Sequence, residues 1–575
     1  MISSVRSRRL LTYAVAVGLF LTFLAYYSQT ETNGDSYGAR QASAATKNAA
    51  RMRERVNPDA VDSQPSPQLV ELWRSTLDAM MKAEPRIQPI KLTESVPETE
   101  IDPKYDHPKD QVRREFVILS ESDKETLKAT HAQMIQSAKQ LGPRIHYAKH
   151  FKGSTGPGPR GIVMTAGAKY IHNAIFSLHM LRRSGSILPV QLFLDGAVTD
   201  FVRELCKGEL FELGAECQSM DAVFSTTPQM PKLLKYQYKV FALLFSSFDD
   251  ILFLDADCYP IFNPDDLFIS EPYKSRGLIT WPDVWLSSTS PTFYEVTGLE
   301  APSMSKRRSS ESSVMMIKRS THGDDLVLAT YYNLWGPDRY YRLLSQGSPG
   351  EGDKETFLQA ALMLGKPFWD VRTNVGILGR WLNESFVGYG MKQAEPREDY
   401  RLFSAASRDK HDDEARSKDL QARRMFIHHN NLKIDMPKLG AIMSDAMKKN
   451  KQGQLNRLWG DDDTLIEQSG YDVEKAMWEE ILAYHCHPNP SANGCTSLMT
   501  YFALHSLKFN NDVPAWRIQR VGRRGRAAGA ECAGFQSCGQ ACNPEPGNQH
   551  ELTQPLELRC AHGGRAPMGH DAEVE

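Results

Sequence analysis

Between residues 161 and 254 the chain alternates short apolar runs with stretches in which apolar residues recur every three or four positions. GIVMT, residues 161–165, reads as a buried strand, with Ala166-Gly167 as a turn. Lys169 to Arg183 then carries Ile171, Ala174, Ile175, Leu178 and Leu181 on one side, the stripe of an amphipathic helix. Residues 190–194 form a second apolar run. Residues 231–248 place Leu234, Tyr238, Phe241 and Phe245 on one helical stripe, and ILFL, residues 251–254, makes a third strand. Strand, helix, strand, helix, strand at these spacings predicts an α/β domain with a mainly parallel sheet. Such sheets bind ligands at the carboxyl ends of their strands.

Outside this region the pattern changes. LLTYAVAVGLFLTFLAYY, residues 10–27, is an uncharged run of 18. As a helix it covers about 27 Å, close to a bilayer's hydrocarbon thickness and better suited to a thin, early-secretory membrane. Arg6, Arg8 and Arg9 precede it, and no basic residue follows until Arg40. The positive-inside rule puts residues 1–9 in the cytosol and the remainder in the lumen. No small-residue cleavage site follows closely, so an uncleaved signal anchor is expected; a cleaved signal peptide and a secreted protein is the alternative. Residues 28–110 read as a polar lumenal stem and linker, interrupted by one helical stripe of Leu69, Leu72, Trp73, Leu77 and Met80 that Pro85 and Pro89 end. Ser122 and Glu125 form a capping box for a helix running to Leu141, with Gly142-Pro143 as its stop. The main domain is expected over residues 111–520. Residues 521–575, rich in Arg, Gly, Ala and Pro without apolar periodicity, read as a disordered tail.

Composition narrows the chemistry. A net charge of −2 gives no global field to recruit nucleic acid. Nine cysteines are too few for a disulfide scaffold, and the 5, 3 and 17 spacings of Cys532, Cys538, Cys542 and Cys560 match no common zinc site. Cys206 and Cys217, and Cys486 and Cys495, are close enough in sequence for lumenal disulfides. The candidate chemistry gathers at Asp255-Ala256-Asp257, directly after the third strand. Side chains two apart on a strand share a face, so both carboxylates can reach one hard cation such as Mn2+ or Mg2+, as needed by an enzyme using a nucleotide-sugar diphosphate.

Five segments together resemble the fungal Golgi α-mannosyltransferase family that adds α-1,2-mannose branches to mannan. They are residues 160–193, 251–268, WPDVW at 281–285, LLSQGSPGEGDKETF at 343–357 and IHHNNLKIDMPKL at 427–439. The resemblance implies a GT-A-like nucleotide-sugar-binding fold, GDP-mannose as donor, a divalent metal (usually Mn2+), a mannose-containing glycan acceptor and a type II protein of the Golgi membrane. It leaves room for a complex with other mannosyltransferases. Two departures stand out. Glu311-Ser312-Ser313-Val314 replaces the family's Glu-Ser-Gly-Gln, and Cys258 stands where Asn is frequent. The serine is expected to narrow a close backbone approach to the donor.

Within that frame Asp255 and Asp257 are the metal candidates, Asp255 with a second role at the nucleotide. One of His428 and His429 is expected to complete the shell, because adjacent strand residues point to opposite faces; the sequence leaves open which. Lys433 or Lys438 follows to meet the diphosphate, and Lys239 is a further candidate for it. Asp353, favoured over Glu351, is expected to hold acceptor hydroxyls or face the anomeric carbon; an acidic helix start before Thr356 would explain both residues equally. Thr165, Gly167 and Tyr170 sit where guanosine would bind. Trp281, Asp283 and Trp285 suit acceptor recognition by stacking and hydrogen bonding, or alternatively a core. Asn383-Glu384-Ser385 is a glycosylation sequon. An α donor bond and an α product imply retention. The competing readings are another linkage (α-1,3), another nucleotide sugar, a pseudoenzyme subunit of a mannan-synthesising complex and a secreted carbohydrate-binding protein.

Overall fold

A computed structural model describes residues 48–93, 112–147, 159–304, 307–404, 421–459, 463–505 and 557–558. The chain divides into two units: residues 55–509 with 551–575, and residues 1–54 with 510–550, the second described only over 48–54. Among the described residues no helix is long and apolar enough to cross a membrane. The expected anchor at 10–27 lies outside them, as does the tail except for residues 557–558.

Helix α1 (Pro67–Lys82) begins where the Ser66 hydroxyl accepts from Leu69 N at 3.1 Å, with Pro67 in the first turn. Its apolar stripe is fully used. Leu69, Leu72, Trp73, Leu77 and Met80 are buried in the main core, and Trp73 meets Phe224, Phe241 and Phe245 edge-on. The folded unit therefore starts well before residue 111, and this part of the expected stem is core. Helix α2 (Glu121–Tyr147) also differs from expectation. Its cap is Ser120, whose hydroxyl accepts from Asp123 N at 3.1 Å and donates to the Asp123 carboxylate. The helix continues through Gly142-Pro143. Gly142 serves close packing instead of a stop, since a Cβ there would lie 2.3 Å from Asp324 N.

The α/β succession follows: β1 (Arg160–Gly167), α3 (Ile171–Arg183), β2 (Val190–Asp195), β3 (Ala215–Ser219), α4 (Tyr238–Phe245) and β4 (Asp250–Leu254). Helix α4 is shorter than its apolar stripe, because Gln237 accepts from Leu234 N and donates to Asn333 O, folding the preceding residues into a turn. Then come β5 (Cys258–Pro260), β6 (Leu278–Leu286), β7 (Arg308–Lys318), α5 (Gly323–Leu334), α6 (Thr356–Met363), β8 (Trp369–Asp370), β9 (Gly376–Leu382), β10 (Ser385–Ala394) and β11 (Arg424–His428).

The main sheet has seven strands in the order β8-β6-β7-β4-β1-β2-β3. β1 runs parallel to β4 and β2, and β2 to β3, as the sequence pattern required. β7 runs antiparallel to both β4 and β6, which makes the sheet mixed. A second, antiparallel sheet is ordered β9-β10-β11-β5. The chain passes from the first sheet to the second through Asp255-Ala256-Asp257, since β4 belongs to one and β5 to the other. Behind the second sheet lies a separate core containing Tyr259, Ile427, Met443, Trp478 and Tyr501. The Cys486–Cys495 disulfide fastens that region and Cys206–Cys217 the α/β edge, the two pairings that sequence proximity suggested. Cys258 is a buried free thiol. Residues 557–558 pair antiparallel with Phe386 and Val387.

Candidate active site

Asp255 and Asp257 flank a turn that is fixed from three sides. Asp255 N donates to Ser313 O at 2.8 Å, Cys258 N to Asp255 O at 3.0 Å, and His429 N to Asp257 O at 3.0 Å. The Ser177 hydroxyl of α3 donates to Ala256 O at 2.8 Å. Held this way, the carboxylates of Asp255 and Asp257 and the imidazole of His428 bring one ligand atom each to within 4.8 Å of one another. This is the only such group of three or more His, Cys, Asp or Glu ligands among the described residues.

His428 comes from the end of β11, paired with Cys258 on β5. Its Nε2 stands 3.4 Å from Asp257 Oδ1 and its Nδ1 3.4 Å from Glu311 Oε1. Burial opposes its charge, yet the carboxylates of Asp257 and Glu311 push the imidazole up to about 10. Glu311 is held in turn by Ser313, whose N and hydroxyl donate to its two oxygens at 2.8 and 2.5 Å. Ser313, where the family has glycine, thus orients the histidine's partner. His429 does not reach the metal group. Its ring turns into the second core, against Tyr259, Phe176 and Trp459, with Nε2 3.0 Å from Tyr259 OH, and burial lowers it to about 3. Adjacent strand residues take opposite faces, and the register selects His428.

Two lysines flank the carboxylates. Lys239, buried on α4, lies 3.2 Å from Asp255 and 3.2 Å from Asp353, and donates to Ser312 O and Oγ at 2.8 and 2.9 Å. Lys433 donates to Asp257 Oδ2. Lys438 is mostly exposed beside Asp435 and takes no part. Burial raises Asp255 to about 6 despite Lys239; Asp257, the less exposed of the two, is held far below the usual carboxylate range by Lys433 and His428.

Asp353 is buried and also accepts from the Ser312 hydroxyl at 3.1 Å. Glu351 is not brought to the site: it accepts from Gly347 N at 2.6 Å and pairs with Arg342 at 3.3 Å. Nor do the tryptophans offer an open face. Trp281 is 0% exposed, donates to Ala394 O at 2.8 Å and packs edge-on against Phe426. Trp285 is buried with Val284 and Met391. Asp283 is buried and paired with Lys354 at 2.9 Å, so no free acceptor-binding group remains among these three. Thr165 and Gly167 lie at the end of β1, and Tyr170 is 41% exposed where α3 begins, close enough to Lys433 to bear on its charge. Asn383 is exposed at the β9–β10 turn at φ 63°, with its side-chain oxygen accepting from Lys451 N.

A family model described as "Mannosyltransferase putative" matches residues 159–309 and 303–406. Alpha-1,2-mannosyltransferase MNN21 of Candida albicans is 30% identical over 432 residues, 65% of this chain and 63% of the relative. Alpha-1,2-mannosyltransferase MNN5 of Saccharomyces cerevisiae is 30% identical over 340 residues, 50% of this chain and 57% of the relative. The chain thus spans less than two thirds of the length of these curated relatives. The resemblance read from the sequence is borne out over that stretch. Among solved structures, the mannosyltransferase Ktr4p from S. cerevisiae shares 10% identity over 52% of this chain and 84% of that one, with a TM-score of 0.25, a likeness too slight to argue from.

Proposed function

We infer, for a chain whose residues 159–406 carry the mannosyltransferase family pattern, that it is an α-1,2-mannosyltransferase taking mannose from GDP-mannose to a mannose-containing glycan with retention of configuration. The observation that carries this reading is the junction of two carboxylates and one imidazole at a strand end, with a lysine on each side. Two oxygens and one nitrogen suit Mn2+, with Mg2+ second.

Asp255, Asp257 and His428 would hold that cation, which when bound neutralises the departing diphosphate. Glu311, 3.4 Å from Nδ1, favours the proton on that nitrogen and leaves Nε2 for the ligand position, the usual way an outer carboxylate fixes a metal-binding histidine. Lys433, at the rim, exchanges Asp257 for a diphosphate oxygen when the donor arrives. Lys239 stays inside and sets the spacing between Asp255 and Asp353. Asp353 then faces the mannose, where its negative charge opposes the positive charge that develops at the anomeric carbon. Residues 10–27 support an anchored, lumenal enzyme of the Golgi membrane.

The test is transfer of mannose by a fragment lacking residues 1–40 to an α-1,6-mannose oligosaccharide, with Mn2+, with EDTA and with Asp257→Asn. Transfer that needs both the metal and Asp257, with an α-1,2 bond in the product, is expected. Donor binding without transfer would point to another acceptor; failure to bind GDP-mannose would overturn the donor.

A further inference from the structure

At the far side of β1 from the metal strand, β2 ends in Asp195, and this carboxylate has no evident structural task. Its Oδ1 is shielded from solvent and has no hydrogen-bond partner. No salt bridge to it occurs among the described residues, and the titratable side chains that bear on it are another acid, Asp221, and the Tyr238 phenol. Burial raises its carboxyl above the ordinary value. A shielded carboxylate oxygen without a donor costs free energy in the folded protein, so a polar partner from outside the chain would relieve it.

The neighbouring strand makes room at that place. Gly167 on β1 pairs in register with Asp195, and a Cβ on Gly167 would stand 2.2 Å from Asp195 Oδ1. The carboxylate therefore lies over the bare backbone at the carboxyl end of β1, the edge of a parallel sheet where ligands settle. β4, which leads into Asp255, lies on the other side of β1. At about 4.8 Å per strand, Asp195 is displaced from the metal strand by about 10 Å. A diphosphate at the metal would reach across a ribose over that distance and bring its base to Asp195.

We propose that Asp195 selects guanine in the donor nucleotide, accepting from its N1–H and its exocyclic N2 amine, with Gly167 kept bare to admit the pair. The inference rests on the reading of a GDP-linked donor. An ionised carboxylate only accepts, and guanine alone among the common bases offers two adjacent donors on one edge. Adenine presents a ring acceptor there. Uracil has one N–H between two carbonyls, whose lone pairs would face the carboxylate.

The experiment is calorimetric binding of GDP, IDP and UDP to the full chain with Mn2+, which needs no acceptor and no turnover. IDP differs from GDP in the base only by lacking the exocyclic amine. Wild type is expected to bind GDP most tightly. In Asp195→Ala, GDP affinity is expected to fall by about ten- to a hundredfold and the GDP-to-IDP preference to vanish, with pyrophosphate binding in the presence of Mn2+ unchanged. Gly167→Ala, which pushes the carboxylate aside, should lose the same preference. Wild type without a preference for GDP over UDP would overturn the donor reading and this inference with it. A wild-type preference for GDP that survives intact in Asp195→Ala would overturn the role of Asp195 alone.

Discussion

Lys239 lies 3.2 Å from Asp353, and the same ammonium lies 3.2 Å from Asp255. A single buried cation thus joins the helix before the metal strand to the loop before α6. Lys239→Met would leave two carboxylates facing each other without a counter-charge. Breaking a buried pair from one side costs about 3–5 kcal/mol. We expect a loss of stability of that order in urea unfolding, together with loss of transfer. A variant as stable as wild type would mean that water already screens the three charges.

Asp353→Asn keeps the shape and removes the charge. If the carboxylate opposes charge at the anomeric carbon, kcat should fall by about a hundredfold or more while GDP-mannose affinity changes little. Glu351→Gln, two residues away, touches only Gly347 and Arg342 and should leave kcat within about twofold. Equal losses in the two variants would count against the separation of roles.

Glu311→Gln tests how His428 is positioned. Losing an outer carboxylate of this kind weakens metal binding by about ten- to a hundredfold. Direct titration with Mn2+ reads this without any turnover. His429→Gln should leave the Mn2+ affinity unchanged and lower stability instead, because its ring is packed in the second core. A larger metal defect in the His429 variant would reverse the assignment.

His131 gives a pH dependence far from the site. It is buried against Tyr332, with Nε2 2.7 Å from the phenol oxygen, and burial lowers it from 6.5 to about 4. As pH falls below about 6.5 the unfolded chain takes up a proton that the folded chain refuses until about 4. Stability therefore falls across that window, by up to about 3 kcal/mol. His131→Gln should lose less stability between pH 7 and pH 5 than wild type in parallel urea titrations; equal losses would assign the acid sensitivity elsewhere.

Trp281→Phe should cost roughly 2 kcal/mol, through lost volume and a lost bond to Ala394 O, without raising the acceptor KM. A raised KM at unchanged stability would restore the tryptophan to acceptor binding.

The metal strand was legible because four apolar residues followed by Asp-x-Asp fix both the element and the face its carboxylates share. His428 and His429 were not separable, since strand alternation says that one of them binds but only pairing with β5 says which. Glu311 was visible only as the first residue of a family pattern whose third and fourth positions differ here; its contact with His428 joins residues far apart in sequence. Trp281 and Trp285 misled because an aromatic side chain carries no mark of whether its face is open. The α1 stripe was recognised, yet its polar surroundings suggested a stem, and the aromatic cluster that receives Trp73 is assembled from residues beyond 220.

The passage from β4 to β5 places the two aspartates at a seam, and β11 supplies the histidine from across it. Phe426, Ile427 and His428 face Pro260, Tyr259 and Cys258 in that ladder. A slip of a single residue would carry His429 to the cation and bury His428 beside Tyr259, with every β11 side chain changing sides. The candidate metal site is therefore proofread by carbon packing: the fit of Ile427 and the His429 ring into the second core decides which imidazole would meet a cation.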